Sequence, residues 1–272
     1  MDKKLKLAVI GKPIGHSKSP EIHQDFANQF DAKIEFRKDE VTPETLETWL
    51  IDFFKDGGKG VSITLPLKEE ALNYADEISD RARLASACNV IYAKDEKLFA
   101  DCTDGFGLIK DLEENLKISL KDKKILILGA GGAARGIIPS IIEKNPSKLK
   151  IANRTENKAL LLKEDLEAKV NLKEKNTIFE AGDLSDDFLL DDSYDLVINS
   201  TSVSTQAGES LGLPKTLFSD TKLAYDLFYS AENTVFMQEA LAGGAKKASD
   251  GWGMLVEQGA ESFRLWTNLI PD

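Results

Sequence analysis

The sequence predicts an α/β protein made of two α/β domains, and three observations lead to this expectation. The chain has 272 residues, a length that suits one large domain or two modest ones. Short apolar runs alternate with amphipathic stretches, as is typical of strands joined by crossover helices. This alternation occurs in two separate series, the first ending near residue 100 and the second beginning near residue 124.

The strands of both series are predicted from apolar runs bounded by polar or turn residues. In the first series these runs occupy residues 5–10, 33–37, 60–65, 89–93 and 97–100. In the second series they occupy residues 124–128, 149–152, 177–179, 196–199 and 223–226. Helical stretches between strands predict parallel pairing with right-handed crossovers, whereas the polar turn at residues 94–96 predicts a strand pair.

Helix starts in the first series are marked by capping residues. Ser19, which precedes a proline, predicts a helix with serine as its N-cap. Thr42 also precedes a proline and opens a second helix, which we expect to end near Lys55. A third helix is predicted over residues 68–75.

The two series define the expected domains. The first domain is predicted to comprise residues 1–104 plus 238–272, and the second to comprise residues 105–237. The tail, residues 237–266, is long enough for a helix that returns to the first domain.

Composition excludes several classes of protein. Hydrophobic residues make up 42% of the chain and charged residues 30%, the usual proportions in globular proteins. The formal net charge is −11, and a surface this negative repels both nucleic-acid phosphates and anionic membranes. We therefore expect a small-molecule substrate, no nucleic acid and no membrane partner. A monomer and a homodimer both remain open.

Cysteine and histidine are scarce. Two residues of each type are too few for a disulfide framework or a structural zinc site, so we expect no metal. The basic N-terminus is followed by only four apolar residues, 7–10, which is too short for the core of a signal peptide. No stretch approaches the roughly 20 apolar residues of a membrane span. These features favour a cytoplasmic protein.

A glycine-rich turn lies between a predicted strand and a predicted helix. Residues 129–136 read GAGGAARG and follow the apolar run at residues 125–128. Gly129 permits the turn, Gly131 lets the backbone approach a pyrophosphate, and Ala134 is the third small residue needed for packing. The amides of the following helix then bind the phosphates. We interpret the second domain as a Rossmann-like dinucleotide-binding domain; a turn used only for packing is the alternative.

The residues after the next strand favour NADP over NAD. An NAD site usually has Asp or Glu here to bind the ribose 2′-hydroxyl, but this chain has Asn153-Arg154-Thr155, beginning 24 residues after Gly129. Arg154 can pair with a 2′-phosphate in bidentate fashion, and Lys158 can add positive charge. Glu156 opposes this interpretation, and the two cations could also be ordinary surface residues.

A nicotinamide cofactor implies hydride transfer, which needs a proton donor beside the substrate. No Tyr-x-x-x-Lys pair exists, so the candidates are Lys68 and Asp104, each of which follows a predicted strand. They could form an acid–base pair, or they could be a solvated lysine and a helix N-cap. Ser17 and Ser19 could bind a carboxylate beside a helix N-terminus.

The two histidines and two cysteines give little indication of function in the sequence. His16 falls in a turn and His23 on a helix, and neither suggests a role. Cys88 and Cys102 have no basic neighbour in sequence, so we interpret them as small buried residues. Their proximity to the candidate site in sequence suggests sensitivity to thiol reagents.

Seven segments in one order resemble the shikimate dehydrogenase family over nearly the whole chain. These segments are GKPIGHSKSP at 11–20, TLPLK at 64–68, NV at 89–90, TDG at 103–105, the glycine loop at 129–136, NRT at 153–155 and DGWGMLVEQGA at 250–260. The resemblance implies a substrate-binding catalytic domain, an NADP-binding domain, and reversible reduction of 3-dehydroshikimate to shikimate with NADPH.

The resemblance also implies roles for individual residues. Lys68 and Asp104 would form the catalytic pair, with Lys68 as proton donor. Substrate binding would involve Ser17, Ser19 and Tyr229 at the carboxylate and Thr64, Lys68, Asn89, Asp104 and Gln258 at the ring hydroxyls. Cofactor binding would involve Gly129, Ala130, Gly131, Gly132, Ala133, Asn153, Arg154, Thr155, Lys158, Leu227, Gly251 and Met254.

Two other functions remain possible at this point. One is a quinate/shikimate dehydrogenase that uses NAD, which Glu156 favours and Arg154 opposes. The other is a non-catalytic NADP-binding sensor, because a fold alone does not establish activity. The presence of both Lys68 and Asp104 favours an enzyme.

Overall fold

The computed structural model describes residues 4–170, 176–205 and 209–272. It contains two compact units, residues 1–107 with 256–272 and residues 108–255. The predicted boundary at residue 237 differs from this division. A short strand at residues 248–249 pairs with the strand at 223–226, which ties residues 238–255 to the second unit.

The first unit is built on a six-stranded mixed sheet. Its strands are β1 Leu5–Gly11, β2 Ile34–Glu40, β3 Gly58–Ile63, β4 Glu77–Ile78, β5 Val90–Lys94 and β6 Lys97–Asp101, in the order β2-β1-β3-β5-β6-β4. β1 pairs in parallel with β2 and β3, as the crossovers predict. The strand pair predicted around the turn at residues 94–96 is confirmed, because β5 runs antiparallel to β6. β5 also runs antiparallel to β3, although helical residues between these two strands predicted parallel pairing. A two-residue turn between β5 and β6 permits only antiparallel pairing.

The helices of the first unit differ in detail from the predictions. They are α1 Ser19–Gln29, α2 Pro43–Lys55, α3 Asp80–Ala85 and α4 Asp104–Lys110, and α4 extends past the unit boundary at residue 107. Ser19 is the first residue of α1 rather than its N-cap, because its hydroxyl contacts Ser17 instead of a helix amide. The helix predicted over 68–75 is reduced to a 3-10 turn, Glu70–Tyr74.

The second unit is a wholly parallel sheet of six strands. These are β7 Lys124–Leu128, β8 Lys148–Ala152, β9 Ile178–Gly182, β10 Leu196–Asn199, β11 Leu223–Asp226 and β12 Ala248–Ser249. Their order, β12-β11-β10-β7-β8-β9, is that of a doubly wound Rossmann sheet counted from β7. Residues 125–128 of β7 are entirely buried, because helices cover both faces of such a sheet. The glycine loop therefore begins at the end of a central strand.

The helices of the second unit follow its strands. They are α5 Gly132–Glu143, α6 Glu156–Lys169, α7 Asp186–Leu189, α8 Val235–Ala242 and the start of α9 Trp252–Thr267, whose residues from 256 onward belong to the first unit. The tail contains α8, β12 and α9, and residues 256–267 of α9 are the helical part that returns to the first unit. Among the described helices, none has the length and apolarity needed to cross a membrane.

Candidate active site

Backbone hydrogen bonds bring four predicted site segments together in the first unit. The Ile63 amide donates to the Asn89 carbonyl (2.7 Å), and the Asn89 amide donates to the Asp101 carbonyl (3.1 Å). The Cys88 amide donates to the Lys68 carbonyl (2.8 Å). The residues that follow β3, precede β5 and follow β6 thus meet at one edge of the sheet.

The centre of this edge is an ion pair between Lys68 and Asp104. The Lys68 Nζ donates to the Asp104 Oδ2 at 2.5 Å, and the two side chains are 15% and 6% exposed. Burial alone would lower the pKa of Lys68, but the charge and the hydrogen bond of Asp104 outweigh it and raise this pKa above its ordinary value. Lys68 is therefore held as an ammonium group in a largely desolvated position.

Asn89 links this pair to further polar side chains. Its Oδ1 accepts a hydrogen bond from the Thr103 amide (2.7 Å), which fixes the orientation of the side-chain amide, because a backbone N–H can only donate. Its Nδ2 then lies 2.9 Å from the Asp104 Oδ1, the Thr103 Oγ1 and the Gln258 Oε1. Lys68, Asn89, Asp104 and Gln258 thus form one connected polar cluster.

Ser17 and Ser19 lie together at the start of α1. Their hydroxyl oxygens are 3.2 Å apart, and the Ser19 amide donates to the Ser17 Oγ at 3.3 Å. Both residues are buried. Two adjacent hydroxyls at the N-terminus of an 11-residue helix suit a carboxylate, because the helix dipole favours negative charge there.

Thr64 lies in the loop that follows β3, beside the loop that follows β1. The Thr64 amide donates to the Ile10 carbonyl (3.0 Å), and the Lys12 amide donates to the Leu65 carbonyl (2.9 Å). A side chain at Gly11 would collide with Thr64, so the absence of one lets the two loops lie side by side. This contact fixes Thr64 next to the loop that leads to Ser17.

His23 lies one turn after Ser19 and is fully buried. Its Nδ1 is 2.8 Å from the Ser19 carbonyl, and its ring stacks on Trp266 with centroids 4.9 Å apart. Burial lowers the pKa of His23 to about 4, so the ring is neutral at physiological pH. His23 therefore packs the base of α1, in agreement with its interpretation from sequence.

Neither cysteine has the exposed, electropositive surroundings of a reactive thiol. Both are buried and reduced. Burial raises the pKa of Cys88 to about 12 and raises that of Cys102 as well. Because the thiolate is the reactive form, the suggested sensitivity to thiol reagents is not supported by the structure.

In the second unit, the glycine loop has the predicted strand–turn–helix geometry. Gly129 has a φ of +107°, which disfavours a residue with a side chain, and a Cβ there would also collide with Ser200. Gly131 is the N-cap of α5, and a Cβ built on it meets no atom within 4 Å. The open space at Gly131 and the amides at the start of α5 fit the phosphates of a dinucleotide.

Asn153, Arg154 and Thr155 follow β8, which is the neighbour of β7 in the sheet. The Asn153 Nδ2 donates to the Thr155 carbonyl at 2.9 Å, which holds the turn before α6. Arg154 and Lys158 are exposed, and no ion pair joins either of them to an acidic side chain in the part of the chain that the structure describes. These cations can therefore turn toward a 2′-phosphate without breaking an existing bond.

A buried carboxylate that was not predicted as a functional group, Asp226, supports the segment with Leu227 and Tyr229. Asp226 is fully buried and accepts hydrogen bonds from Asn199, Ser204, Thr234 and the Phe228 amide at 2.6–3.2 Å. Desolvation nevertheless raises its pKa. The position of Asp226 at the end of the apolar strand β11 was the available signal in the sequence.

The segment that carries Gly251 and Met254 packs closely against Leu227 and a buried aspartate, Asp111. A Cβ at Gly251 would collide with the Leu227 carbonyl, and one at Gly253 would collide with the Asp111 carboxylate. Asp111 is buried and accepts a 2.7 Å hydrogen bond from the Tyr225 hydroxyl. This pair was not predicted, because it joins residues 114 positions apart and leaves no local pattern in the sequence.

The first unit also contains an ion-pair network that was not predicted from sequence, in which the two carboxylates are buried and the two arginines are partly exposed. Arg81 forms ion pairs with Asp101 (2.7 Å) and Glu261 (2.9 Å), and Arg264 pairs with Glu261 at 2.6 Å. This network ties α3 and α9 to the end of β6, three residues before Asp104.

Comparisons with known families match three parts of the chain. Residues 9–91 match a model described as the shikimate dehydrogenase substrate binding domain. Residues 111–207 match one described as shikimate / quinate 5-dehydrogenase, and residues 251–272 match one described as the shikimate 5'-dehydrogenase C-terminal domain. Together these models account for most of the chain.

Individual relatives agree with these matches. The chain is 41% identical to a shikimate dehydrogenase (NADP(+)) of Herminiimonas arsenicoxydans over 98% of its length and 93% of the relative's. It is 42% identical to the protein of that name from Methylobacillus flagellatus, over 98% and 95%. A structure of shikimate 5-dehydrogenase from Thermus thermophilus in complex with NADP(H) and shikimate has a TM-score of 0.84 at 32% identity, covering 98% and 95% of the two chains.

Proposed function

This chain belongs to the shikimate dehydrogenase family, and we propose that it catalyses the reversible, NADPH-dependent reduction of 3-dehydroshikimate to shikimate. The observation that carries the proposal is the buried Lys68–Asp104 ion pair, joined through Asn89 to Gln258. Shikimate dehydrogenases that are 41% and 42% identical to this chain bear NADP(+) in their names, which supports the same cofactor here.

The polar cluster suits a small acid that carries several hydroxyl groups. Ser17 and Ser19 bind the carboxylate, to which the family resemblance also assigns Tyr229. Thr64, Asn89 and Gln258, with the catalytic pair, bind the ring oxygens. Buried polar groups reject analogues that lack the matching hydroxyl, because they are then left without a partner.

The second unit binds NADP. Residues 129–133 and the N-terminus of α5 hold the pyrophosphate, and Arg154 and Lys158, with Asn153 and Thr155, hold the 2′-phosphate. Leu227, Gly251 and Met254 contact the nicotinamide ring. When bound, the reduced cofactor supplies the hydride that reduces the ketone of the substrate.

Lys68 and Asp104 manage the proton. Lys68, held as an ammonium group by Asp104, donates a hydrogen bond to the ketone oxygen and stabilises the negative charge that develops on it. It then transfers a proton from Nζ to this oxygen, which completes the alcohol. Asp104 orients Lys68 throughout and balances its charge. In the oxidative direction Lys68 accepts the proton back.

A four-way initial-rate assay tests the proposal, with shikimate or quinate as substrate and NADP or NAD as cofactor. The absorbance of the reduced nicotinamide measures turnover. We expect turnover chiefly with shikimate and NADP. Turnover chiefly with quinate and NAD would contradict both the substrate and the role of Arg154, and NADP binding without any turnover would favour a sensor.

A further inference from the structure

Ser262 lies behind the polar cluster and is completely buried. It lies on α9 one turn after Gln258, and its hydroxyl donates a hydrogen bond to the Gln258 carbonyl at 2.8 Å. A serine hydroxyl has a single hydrogen, so this bond uses it. The Ser262 Oγ is then an acceptor for any other neighbour.

That neighbour is Thr103, whose Oγ1 is 3.1 Å from the Ser262 Oγ. Because the hydrogen of Ser262 is already used, the hydroxyl of Thr103 is the donor in this contact. The Thr103 Oγ1 in turn accepts from the Asn89 Nδ2 at 2.9 Å. A series of hydrogen bonds with one direction therefore runs from Asn89 through Thr103 and Ser262 to the Gln258 carbonyl.

The direction of these hydrogen bonds affects the side-chain amides of Asn89 and Gln258. The Thr103 Oγ1 also lies 3.3 Å from the Gln258 Oε1 and 3.3 Å from the Asn89 Oδ1. Without Ser262 as an acceptor, the Thr103 hydroxyl would turn its hydrogen toward one of these two oxygens. It would then compete with Asn89 for Gln258, or with the Thr103 amide for Asn89.

We propose that Ser262 is a positioning residue for substrate binding, acting through the Thr103 hydroxyl to hold the side-chain amides of Asn89 and Gln258 in their binding orientations. The inference rests on the proposed function, because these two amides bind the ring hydroxyls in it. Ser262 itself contacts neither Lys68 nor Asp104 among the hydrogen bonds of the described residues.

The first test is Ser262→Ala, assayed with shikimate and NADP. We expect the KM for shikimate to rise about 3- to 10-fold, the size of one hydrogen bond, with kcat within about 2-fold of wild type. Binding of the ring hydroxyls is common to the ground state and the transition state, so its loss raises KM rather than lowering kcat. The KM for NADP and the pH profile of kcat remain unchanged.

A matched control separates this role from general loss of a buried hydroxyl. Thr267 makes the same back-bond on the same helix, from its Oγ1 to the Phe263 carbonyl at 2.7 Å, outside the cluster. Thr267→Val leaves the KM for shikimate unchanged. Ser262→Thr keeps the wild-type KM for shikimate, because a threonine hydroxyl in a helix can also bond the carbonyl four residues before it.

A double-mutant cycle tests the route through Thr103. In a Thr103→Val background no hydroxyl remains for Ser262 to orient, so Ser262→Ala causes no further rise in KM. An additive rise in this background, or an unchanged KM in Ser262→Ala with normal wild-type turnover, overturns the role of Ser262 and leaves the proposed function intact. Absence of shikimate turnover in the wild type refutes the proposed function, and the role of Ser262 with it.

Discussion

The two polar sites of this chain differ in how their side chains are held. In the first unit Lys68, Asn89 and Asp104 are largely buried and bonded to one another. In the second unit Arg154 and Lys158 are exposed, and Gly131 faces open space. A small polyol acid is distinguished by the placement of its hydroxyls, which requires fixed partners. A phosphate is bound by charge and backbone amides, which tolerate mobile side chains.

The largest expected effect tests the fixed site at its centre. Lys68→Ala removes the proton donor, and we expect kcat to fall by at least about 10²-fold with a modest change in KM. Steady-state kinetics with shikimate and NADP measure it. The control is Lys94→Ala, which removes an exposed lysine of the same unit. A kcat within a few-fold of wild type would show that Lys68 is not the donor.

A substitution in the exposed site should change the affinity for the cofactor rather than the rate of the chemical step. Arg154→Gln removes the bidentate partner of the 2′-phosphate, and we expect the KM for NADP to rise about 10- to 100-fold, the range for a charged hydrogen bond. The KM for NAD should not rise, because NAD has no 2′-phosphate. Lys215→Gln, which removes another exposed cation of the second unit, is the control, and we expect it to leave NADP binding intact. Equal loss of both cofactors would contradict the assignment.

The second unit also contains buried polar contacts, and Gly253→Ala tests the one at Asp111. The new Cβ would collide with the buried Asp111 carboxylate, and such overpacking costs about 1–3 kcal/mol of unfolding free energy. Denaturant unfolding measures the loss, and the KM for NADP should rise with it. At Gly15 a Cβ meets no atom within 4 Å, so Gly15→Ala should unfold like the wild type.

The smallest expected effect is on the stability of the first unit, where His23 is buried beneath Ser19. His23 has a pKa of about 4 in the folded chain and an ordinary value of 6.5. The unfolded chain therefore binds the proton more readily, so the contribution of His23 is complete above pH 6.5 and is lost as the pH falls toward 4. We expect about 1 kcal/mol of unfolding free energy to be lost by pH 5.5.

Phe36, Phe26 and Trp266 surround the His23 ring, so His23→Phe keeps an aromatic environment. Unfolding measured between pH 7 and 5.5 should depend less on pH in this variant than in the wild type. An identical pH dependence in both proteins would show that other groups cause it.

The success of the sequence predictions depends on how local each feature is. Thr42 begins α2 as predicted, because the Thr42 amide donates to the nearby Thr45 hydroxyl at 3.1 Å. The glycine loop was predicted for the same reason, since the turn, the helix start and the preceding strand are contiguous. The helix expected over 68–75 is only a 3-10 turn, and the Lys68 carbonyl accepts from the distant Cys88 amide instead of from a helix amide.

The sequence by itself determined the α/β class, the central glycine turn and the segments that mark the family, because each depends on residues close together in the chain. Only the tertiary structure decided which side chains act together. Thr103 meets Ser262 across 159 residues, and Tyr225 meets Asp111 across 114. Such contacts arise from the packing of whole elements, and backbone preferences within a short window carry no record of them.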